Sequence, residues 1–291
     1  MKDFVCLNKN FSTTRRLIQH CSDSVEKELI FSKKAGSEFD TNLFAREGKG
    51  RQGEGGLRSK GFFKNNFENK ILVTVITVVF NDQTKIEETI NSVINQTYDN
   101  VEYLVVDGGS SDGTLDVLGK YEDQIDYWVS ECDQGIYDAM NKGINLATGK
   151  WLNFMNSGDK YFSPKILASI FEDSDFKNVD IIYGNNEVRY PSRTRIASAG
   201  KIVNLWKGSQ FSHQSTFISS DLHKNNRYNI KNRIGADFEF FFQCYLNGMV
   251  FRHIDEIIAT VSSGGLSDTN RIDSIVSFWN LQKKNTSTNI F

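Results

Sequence analysis

The hydrophobic pattern separates a regular part of the chain, which starts near residue 70, from a less regular part before it. From Ile71 onward, short β-branched apolar runs alternate with stretches of helical period. Apolar runs bounded by turn residues predict buried strands, and apolar residues three and four apart predict helices. Strands are predicted at 71–80, 103–107, 125–129, 151–155, 180–184 and 213–218. One helix is predicted to begin at a capping box at 84–87. Further helices are predicted at 114–121, 136–147, 164–172, 235–246 and 271–284.

Alternating strands and helices imply parallel pairing, so the predicted fold class is α/β with a mostly parallel central sheet flanked by helices. One catalytic domain is predicted over residues 70–291, with halves at about 70–160 and 161–291. Residues 1–69 are predicted to be an N-terminal extension, with a short helix at 24–31. In the second half, residues 186–210 are expected to form loops or short antiparallel strands, and residues 250–258 a short strand pair.

Composition limits the class of protein. A hydrophobic content of 39% with two prolines fits a folded globular chain, and no apolar run is long enough to cross a bilayer. The first ten residues are too polar for a signal peptide, and the four cysteines lack metal-ligand spacing, which together predict a cytoplasmic protein with reduced thiols. Residues 1–70 hold 14 Lys/Arg and nine Asp/Glu, whereas the remainder is acidic. The acidic body argues against nucleic-acid binding, and the basic start could favour anionic lipid or phosphate.

Residues 46–61 contain six glycines and several basic residues. Gly48–Gly53 fits the dinucleotide-binding pattern formally, but no predicted strand precedes it and no helix follows, so a dinucleotide site is rejected. Two interpretations stay open: a flexible linker, or a basic clamp over a phosphate-bearing substrate.

Candidate chemistry lies at the carboxyl ends of the predicted strands. Asp107 ends one strand and is followed by two glycines, and the turn Asn156–Asp159 ends another. In open α/β sheets ligands bind at this edge, and glycines allow a close approach of the backbone. Ordinary turns would explain each segment alone.

Several segments in order together resemble the family-2 glycosyltransferases with the Rossmann-like A-type nucleotide-sugar fold, over about residues 72–266. The segments are 76–81, 92–96, 105–110, 133–143, 156–159 and 235–237. The nearest likeness is to bacterial enzymes of surface-polysaccharide synthesis, such as that of O-antigen. The resemblance implies inverting transfer from a nucleotide diphosphate sugar, typically linked to UDP, with Mn²⁺ or Mg²⁺ as cofactor.

The resemblance also implies roles for individual residues. Asp107 would hold the nucleotide base, since a carboxylate suits an imide N–H, and Asp159 would bind the metal. Asp237 would be the catalytic base; it lies at a predicted helix start, which stabilises the carboxylate, and among apolar neighbours, which raise its pKa. The remaining donor-binding candidates are Val79, Phe80, Asp133, Asp138, Asn141, Asn156 and His213. Asn156, Gly158 and Met140 depart from the family pattern, which often has Asp at the first two positions and Arg at the third.

The predicted function is therefore the addition of a single sugar to a lipid-linked saccharide at the inner face of the cell membrane, with possible peripheral membrane contact. Two other classes stay open. A nucleotidyltransferase would need a glycine-rich basic loop after the first strand, where this chain has residues 81–84. A non-catalytic nucleotide-sugar binding protein would accommodate the altered residues 140 and 156.

Overall fold

A ten-stranded mixed sheet is the framework of the protein. The computed structural model describes residues 4–5, 17–19, 43–46, 48–65, 70–172, 174, 176–264, 276, 278–279 and 281–283. The strands are β1 Phe4–Val5, β2 Leu17–Gln19, β3 Gly53–Gly55, β4 Phe62–Phe63, β5 Val73–Val79, β6 Val101–Asp107, β7 Tyr127–Ser130, β8 Trp151–Phe154, β9 Lys160–Tyr161, β10 Ile181–Tyr190, β11 Arg193–Ala197, β12 Thr216–Ser219 and β13 Phe251–Ser262. The helices are α1 Ile86–Ile94, α2 Thr114–Lys120, α3 Ile136–Leu146, α4 Ile166–Phe171, α5 Ser220–Asn225 and α6 Ala236–Leu246.

The predicted parallel core is present. The sheet order is β3-β7-β6-β5-β8-β12-β10-β13-β9, with β11 paired to β10, and β5 pairs in parallel with both β6 and β8. Every residue of β5 and β6 is buried, because helices cover both faces. Alternate residues therefore enter two apolar layers: Ile76 packs with Met140 of α3 on one face, and Val75 packs with Ile90 of α1 on the other.

The second half of the sheet is mixed. β12 runs antiparallel to β8 and β10, whereas β10 and β13 are parallel. The hairpin of β10 and β11 confirms the antiparallel strands expected within 186–210. The strand pair expected at 250–258 is wrong: β13 is one long strand, and it stays paired with β10 across two register shifts.

Helix starts differ from the sequence prediction at one place. Thr84 does not cap α1, because the chain first makes a turn in which the Ile86 N–H donates to the Asp82 carbonyl. Just before α2, Asp112 accepts a hydrogen bond from the N–H of Thr114, the first helical residue, at 2.9 Å. The helix expected at 24–31 lies outside the described residues. Of the helix expected at 271–284, residues 276, 278–279 and 281–283 are described, and they are helical.

The described part of the glycine-rich segment 46–61 packs on the sheet, which corrects its interpretation as a flexible linker. β3 pairs antiparallel with β7 and so extends the main sheet across the predicted boundary at residue 69. A 3₁₀ turn follows at Leu57–Lys60, and Leu57 is fully buried. The glycines serve close packing here: a side chain at Gly55 would collide with Trp128.

Basic side chains of this segment pair with carboxylates of the core. The buried Arg58 guanidinium donates to Glu102 at 2.5 Å and to the carbonyls of Leu43 and Leu146. Buried Lys64 contacts Asp126 at 2.7 Å. Burial works against ionisation of Glu102, but Arg58 and hydrogen bonds from threonines hold its pKa below the usual value. These charges are used inside the protein, so they form no clamp over a phosphate.

The buried pair gives a stability prediction. Arg58→Met should lower the free energy of unfolding by about 3–5 kcal/mol, because Glu102 remains buried without its cation. Lys60→Met is the matched control, since Lys60 pairs with Asp123 at the surface, and its loss should cost less than about 1 kcal/mol. Urea denaturation measures both values. Equal losses for the two variants would show that the Arg58 pair does not anchor the segment.

Candidate active site

The loop after β6 is organised by Asp107. The Asp107 carboxylate is fully buried and accepts hydrogen bonds from the N–H groups of Gly109 and Ser110 and from the hydroxyls of Ser110 and Ser130. Four donors thus fix the loop shape from within. The predicted contact of Asp107 with a nucleotide base stays a prediction. In the structure, the Asp107 carboxylate holds the backbone of residues 108–110 in place.

Beside this loop the end of β5 presents an aromatic ring. Phe80 is 63% exposed, whereas the neighbouring Val79 is buried in the core. A side-chain carbon added at Gly108 would lie 3.4 Å from the Phe80 ring and 2.5 Å from Oδ2 of Asp133. Phe80, Gly108 and Asp133 therefore meet at one point of the sheet edge, where a flat ring could stack. Of the donor-binding candidates Val79 and Phe80, Val79 belongs to the core and Phe80 is exposed at the sheet edge.

The candidates on and before α3 have structural partners. Asp133 and Asp138 accept hydrogen bonds from the N–H groups of Gly135 and Gln134 at the start of the helix, and burial raises the pKa of Asp133. Asn141 binds both the N–H and the carbonyl of Tyr228. Their predicted donor contacts stay predictions. Met140 is fully buried in the core, so no cation reaches the site from that position.

The turn Asn156–Asp159 forms the next part of the edge. Gly158 has a φ of 90°, a conformation that favours glycine, which gives a backbone reason for its replacement of the family's Asp. Asp159 is buried and accepts hydrogen bonds from Gln214 at 2.7 Å and from the Ser262 N–H at 3.0 Å. Burial raises the pKa of Asp159 despite these donors. The buried Oδ1 of Asn156 has no hydrogen-bond partner.

Asp237 lies in the first turn of α6, with its side chain one-quarter exposed. It accepts hydrogen bonds from the Tyr137 hydroxyl at 2.8 Å and from Nδ1 of His213 at 3.1 Å. Burial opposes its ionisation, but these two donors outweigh it and hold the pKa of Asp237 below its usual value. The apolar surroundings thus act on the pKa in the expected direction, but the polar partners decide the net shift, which is downward.

His213 joins Asp237 to the turn. The Asn156 amide nitrogen lies 3.0 Å from Nε2 of His213, and since an amide NH₂ can only donate, Nε2 accepts and Nδ1 carries the proton given to Asp237. Asn156, His213, Asp237 and Tyr137 thus form one chain of hydrogen bonds. Glu239, two residues after Asp237, accepts hydrogen bonds from Asn229 and Asn232 instead.

The turn at residues 156–159 offers a divalent cation few protein ligands. Among the described residues, no group of three or more His, Cys, Asp or Glu converges as a metal site. The turn does supply the unpartnered oxygen of Asn156 and the carboxylate of Asp159, and hard cations prefer such oxygen ligands. With so few protein ligands, a bound cation would take its other positions from substrate phosphates and water.

The comparison with known proteins decides the family. The family model described as glycosyl transferase family 2 matches residues 74–256, which include β5, β6, β8, the turn and α6. The chain belongs to glycosyl transferase family 2. This confirms the resemblance read from the sequence motifs, and it favours sugar transfer over nucleotidyl transfer for the site.

Relatives of the transferase occur in glycolipid and polysaccharide synthesis. A PGL/p-HBAD biosynthesis glycosyltransferase of Mycobacterium bovis is 30% identical over 205 residues, covering 68% of this chain and 80% of the relative. A putative teichuronic acid biosynthesis glycosyltransferase, TuaG of Bacillus subtilis, is 37% identical over 100 residues, covering 33% of this chain and 40% of the relative.

Solved structures show the same fold for the transferase. TarS 1–349 of S. aureus in complex with UDP-GlcNAc gives a TM-score of 0.58 at 18% identity, covering 72% of this chain and 64% of that one. The mannosyltransferase PcManGT of Pyrobaculum calidifontis, solved with GDP-Man and Mn²⁺, gives 0.57 at 16% identity, covering 77% and 66%. The A-type fold predicted from the sequence is thereby confirmed.

Sequence reasoning missed two contributors to the site of the transferase. Tyr137 lies inside the segment 133–143 that carried the resemblance, but nothing in that segment indicates its bond to Asp237, which is 100 residues away. Asp82 accepts a hydrogen bond from Ser157 at 2.7 Å. A carboxylate directly after a strand was the available signal for Asp82.

The Tyr137 hydrogen bond gives a pH prediction. Because Tyr137 stabilises the ionised form of Asp237, Tyr137→Phe should raise the pKa of Asp237. A base works only when ionised, so kcat/KM falls as the pH drops through the pKa of the base. This fall is the acidic limb of the pH profile, and it should move to higher pH in the variant. Rates of sugar transfer from about pH 3 to 8 measure the limb, a range that extends below the ordinary Asp pKa of about 3.9 because the pKa of Asp237 lies below its usual value in the parent. Tyr121→Phe is the control, since Tyr121 binds Glu87 at the surface; a limb in the same place for all three proteins would contradict the assignment.

Proposed function

We propose that the transferase moves a sugar, with inversion, from a nucleotide diphosphate sugar to a saccharide acceptor on a lipid carrier. The observation that carries the proposal is the chain of hydrogen bonds through His213, which holds Asp237 next to the turn at residues 156–159. A direct displacement needs one carboxylate positioned as a base, and here the carboxylate lies at the edge where three parallel strands end.

For the donor we propose UDP as the nucleotide. The exposed Phe80 ring supplies a stacking surface, and Gly108 leaves room for a base against the backbone. TarS, which has the same fold, is solved with UDP and with UDP-GlcNAc. PcManGT is solved with GDP-Man, so the fold accommodates more than one base. Calorimetry comparing UDP with GDP tests the choice.

The chemistry requires the acceptor hydroxyl to lose its proton as it attacks the anomeric carbon. Asp237 is ionised and partly exposed, so it can accept that proton, while Tyr137 and His213 hold the carboxylate in one orientation. A carboxylate with a low pKa is a weak base in the ground state. Its task in a concerted displacement is to receive a proton that becomes acidic in the transition state.

We also propose that Mn²⁺ or Mg²⁺ acts with the donor diphosphate at Asp159 and Asn156. A cation there would neutralise charge on the departing nucleoside diphosphate. Burial raises the pKa of Asp159, and a cation beside the carboxylate would favour its ionised form. Lys85 is a second source of charge, because its stem lies 3.3 Å from the place of a side-chain carbon on Gly158.

The acceptor follows from the relatives. The mycobacterial relative is named for glycolipid biosynthesis and TuaG for teichuronic acid biosynthesis, so we propose a lipid-linked saccharide at the inner membrane face as the acceptor of this chain. Among the described residues, no helix is long and apolar enough to cross a membrane.

The base assignment gives the first test. Asp237→Asn keeps the shape of the side chain but removes the proton acceptor, so kcat should fall at least about a hundredfold with nucleotide affinity nearly unchanged. Release of nucleoside diphosphate measures the rate, and calorimetry measures the affinity. Glu239→Gln, on the same helix turn, should keep most activity. An active Asp237→Asn together with an inactive Glu239→Gln would show that the wrong carboxylate has been chosen.

The metal assignment gives the second test. Asp159→Asn should weaken UDP binding at least about tenfold with Mn²⁺ present and leave it unchanged in chelator, because only the metal-dependent contact is lost. Gln214→Ala is the control: it removes a hydrogen bond from Asp159 but leaves the carboxylate, so the Mn²⁺ dependence should remain. An equal loss with and without chelator would assign Asp159 a purely structural role.

A further inference from the structure

Exposed apolar residues cluster on one surface of the acceptor half. The 3₁₀ turn Ile202–Lys207 exposes Val203 and Trp206, which is 55% exposed. The helical residues near the end of the chain expose Val276 and Trp279, which is 62% exposed. The protein has four tryptophans, and the other two, at 128 and 151, belong to the core. Large exposed aromatic residues in one place mark an interaction surface.

Contacts join these two elements into one surface. The Gln282 side chain donates to the Trp206 carbonyl, and the rings of Phe278 and Phe238 lie 4.9 Å apart. Residues 276, 279 and 283 are three and four apart, so they share a helical face. The face with Phe278 and the buried Leu281 packs inward, so the helix is apolar on both sides. We call Val203, Trp206, Lys207, Val276, Trp279 and Lys283 the Trp–Lys surface.

The Trp–Lys surface carries two lysines, and the stretch of sequence that includes its 3₁₀ turn is basic although the catalytic body is acidic. Residues 188–220 contain no Asp or Glu, and they hold Arg189, Arg193, Arg195, Lys201 and Lys207. Arg189 pairs with Glu88, but Arg193, Arg195 and Lys201 are exposed. Lys207 lies over the Trp206 ring and Lys283 over the Trp279 ring, at 5.2 and 5.8 Å. Each lysine thus places its ammonium group beside an exposed aromatic ring.

We propose that the Trp–Lys surface docks on an anionic lipid bilayer. Tryptophan is favoured at the headgroup level, where its ring is apolar and its N–H meets water, and lysine adds attraction to anionic headgroups. The surface adjoins Phe238, the residue after Asp237, so docking places the acceptor side of the site at the membrane. The inference rests on the proposed function in one respect, which is that the acceptor is located at the membrane.

Four basic residues of the glycine-rich region are engaged within the protein. Arg51, Arg58, Lys60 and Lys64 pair with carboxylates of the protein, Arg58 and Lys64 in the interior and Lys60 at the surface. These pairs anchor the region to the core. The seven basic residues before residue 43, whose charge could favour anionic lipid, lie outside the described residues.

Vesicle binding of the full chain, without donor or acceptor, tests the proposal. The protein should sediment at low salt with vesicles of phosphatidylcholine containing 30% phosphatidylglycerol and not with phosphatidylcholine alone, and 0.5 M NaCl should release it. Tryptophan emission should shift to shorter wavelength on binding, and brominated lipids should quench it. Both signals would come from Trp206 and Trp279.

Variants locate the surface. Lys207→Glu with Lys283→Glu should weaken anionic-vesicle binding at least about twentyfold, since each basic residue near the surface is worth about fivefold. Trp206→Ser with Trp279→Ser should abolish the emission shift and weaken binding at least about tenfold. Lys120→Glu with Val250→Ser, an exposed pair of the same kinds on other elements, is the matched control and should bind like the parent.

Three outcomes would overturn the proposal. These are no binding of the parent to anionic vesicles, unchanged binding of both surface variants, or a concentration-dependent dimer that the Trp206→Ser, Trp279→Ser variant loses. The last result would identify the surface as a contact between copies. Circular dichroism confirms that each variant is folded, and calorimetry with UDP is expected to be unaffected by the surface changes. Vesicle binding without UDP binding would uphold the surface while contradicting the proposed donor.

Discussion

The parallel pairing of β5 with β6 and β8 is the constraint on which the site depends. Their register brings Val79 opposite Asp107 and Ile76 opposite Phe154, so all three strands end at one edge. The loops that follow carry Phe80, the 108–110 backbone and the turn with Asp159. Because β5 and β6 are buried along their whole length, this edge is rigid, and function can be assigned to loops whose positions the core fixes.

The antiparallel half of the sheet adds the second part of the site. β12 lies beside β8, which places His213, just before β12, within reach of Asn156. α6 then brings Asp237 to the other side of the same imidazole. The His213 ring thereby joins the proposed phosphate end to the proposed base by a hydrogen bond on each side. The contact of Phe278 with Phe238 joins the helical residues of the Trp–Lys surface to α6, next to the proposed base.

Features of the fold and the site could be predicted from the sequence where they depend on residues close together in the chain, and could not where they depend on distant residues. Strands 73–79 and 101–107, helix α6 and the family follow from local patterns, which period and turn residues record. The packing of residues 48–65 could not be predicted, because it depends on Arg58 finding Glu102 and on β3 finding the edge of β7. The single strand β13 was divided wrongly, since its polar first half resembles a turn until pairing with β10 supplies its hydrogen bonds. For Asp237, the helix start was visible, whereas the Tyr137 and His213 partners that set its pKa were not.

The central claim is that the edge of the sheet performs an inverting sugar transfer from a nucleotide diphosphate donor. The most direct measurement is a donor screen with the parent protein, with and without Mn²⁺, that follows release of nucleoside diphosphate and the anomeric configuration of the product by NMR. The account predicts release from one nucleotide sugar, favoured by Mn²⁺, with a product of opposite anomeric configuration to the donor. A product that retains the configuration of the donor, or no transfer from any donor, would contradict it.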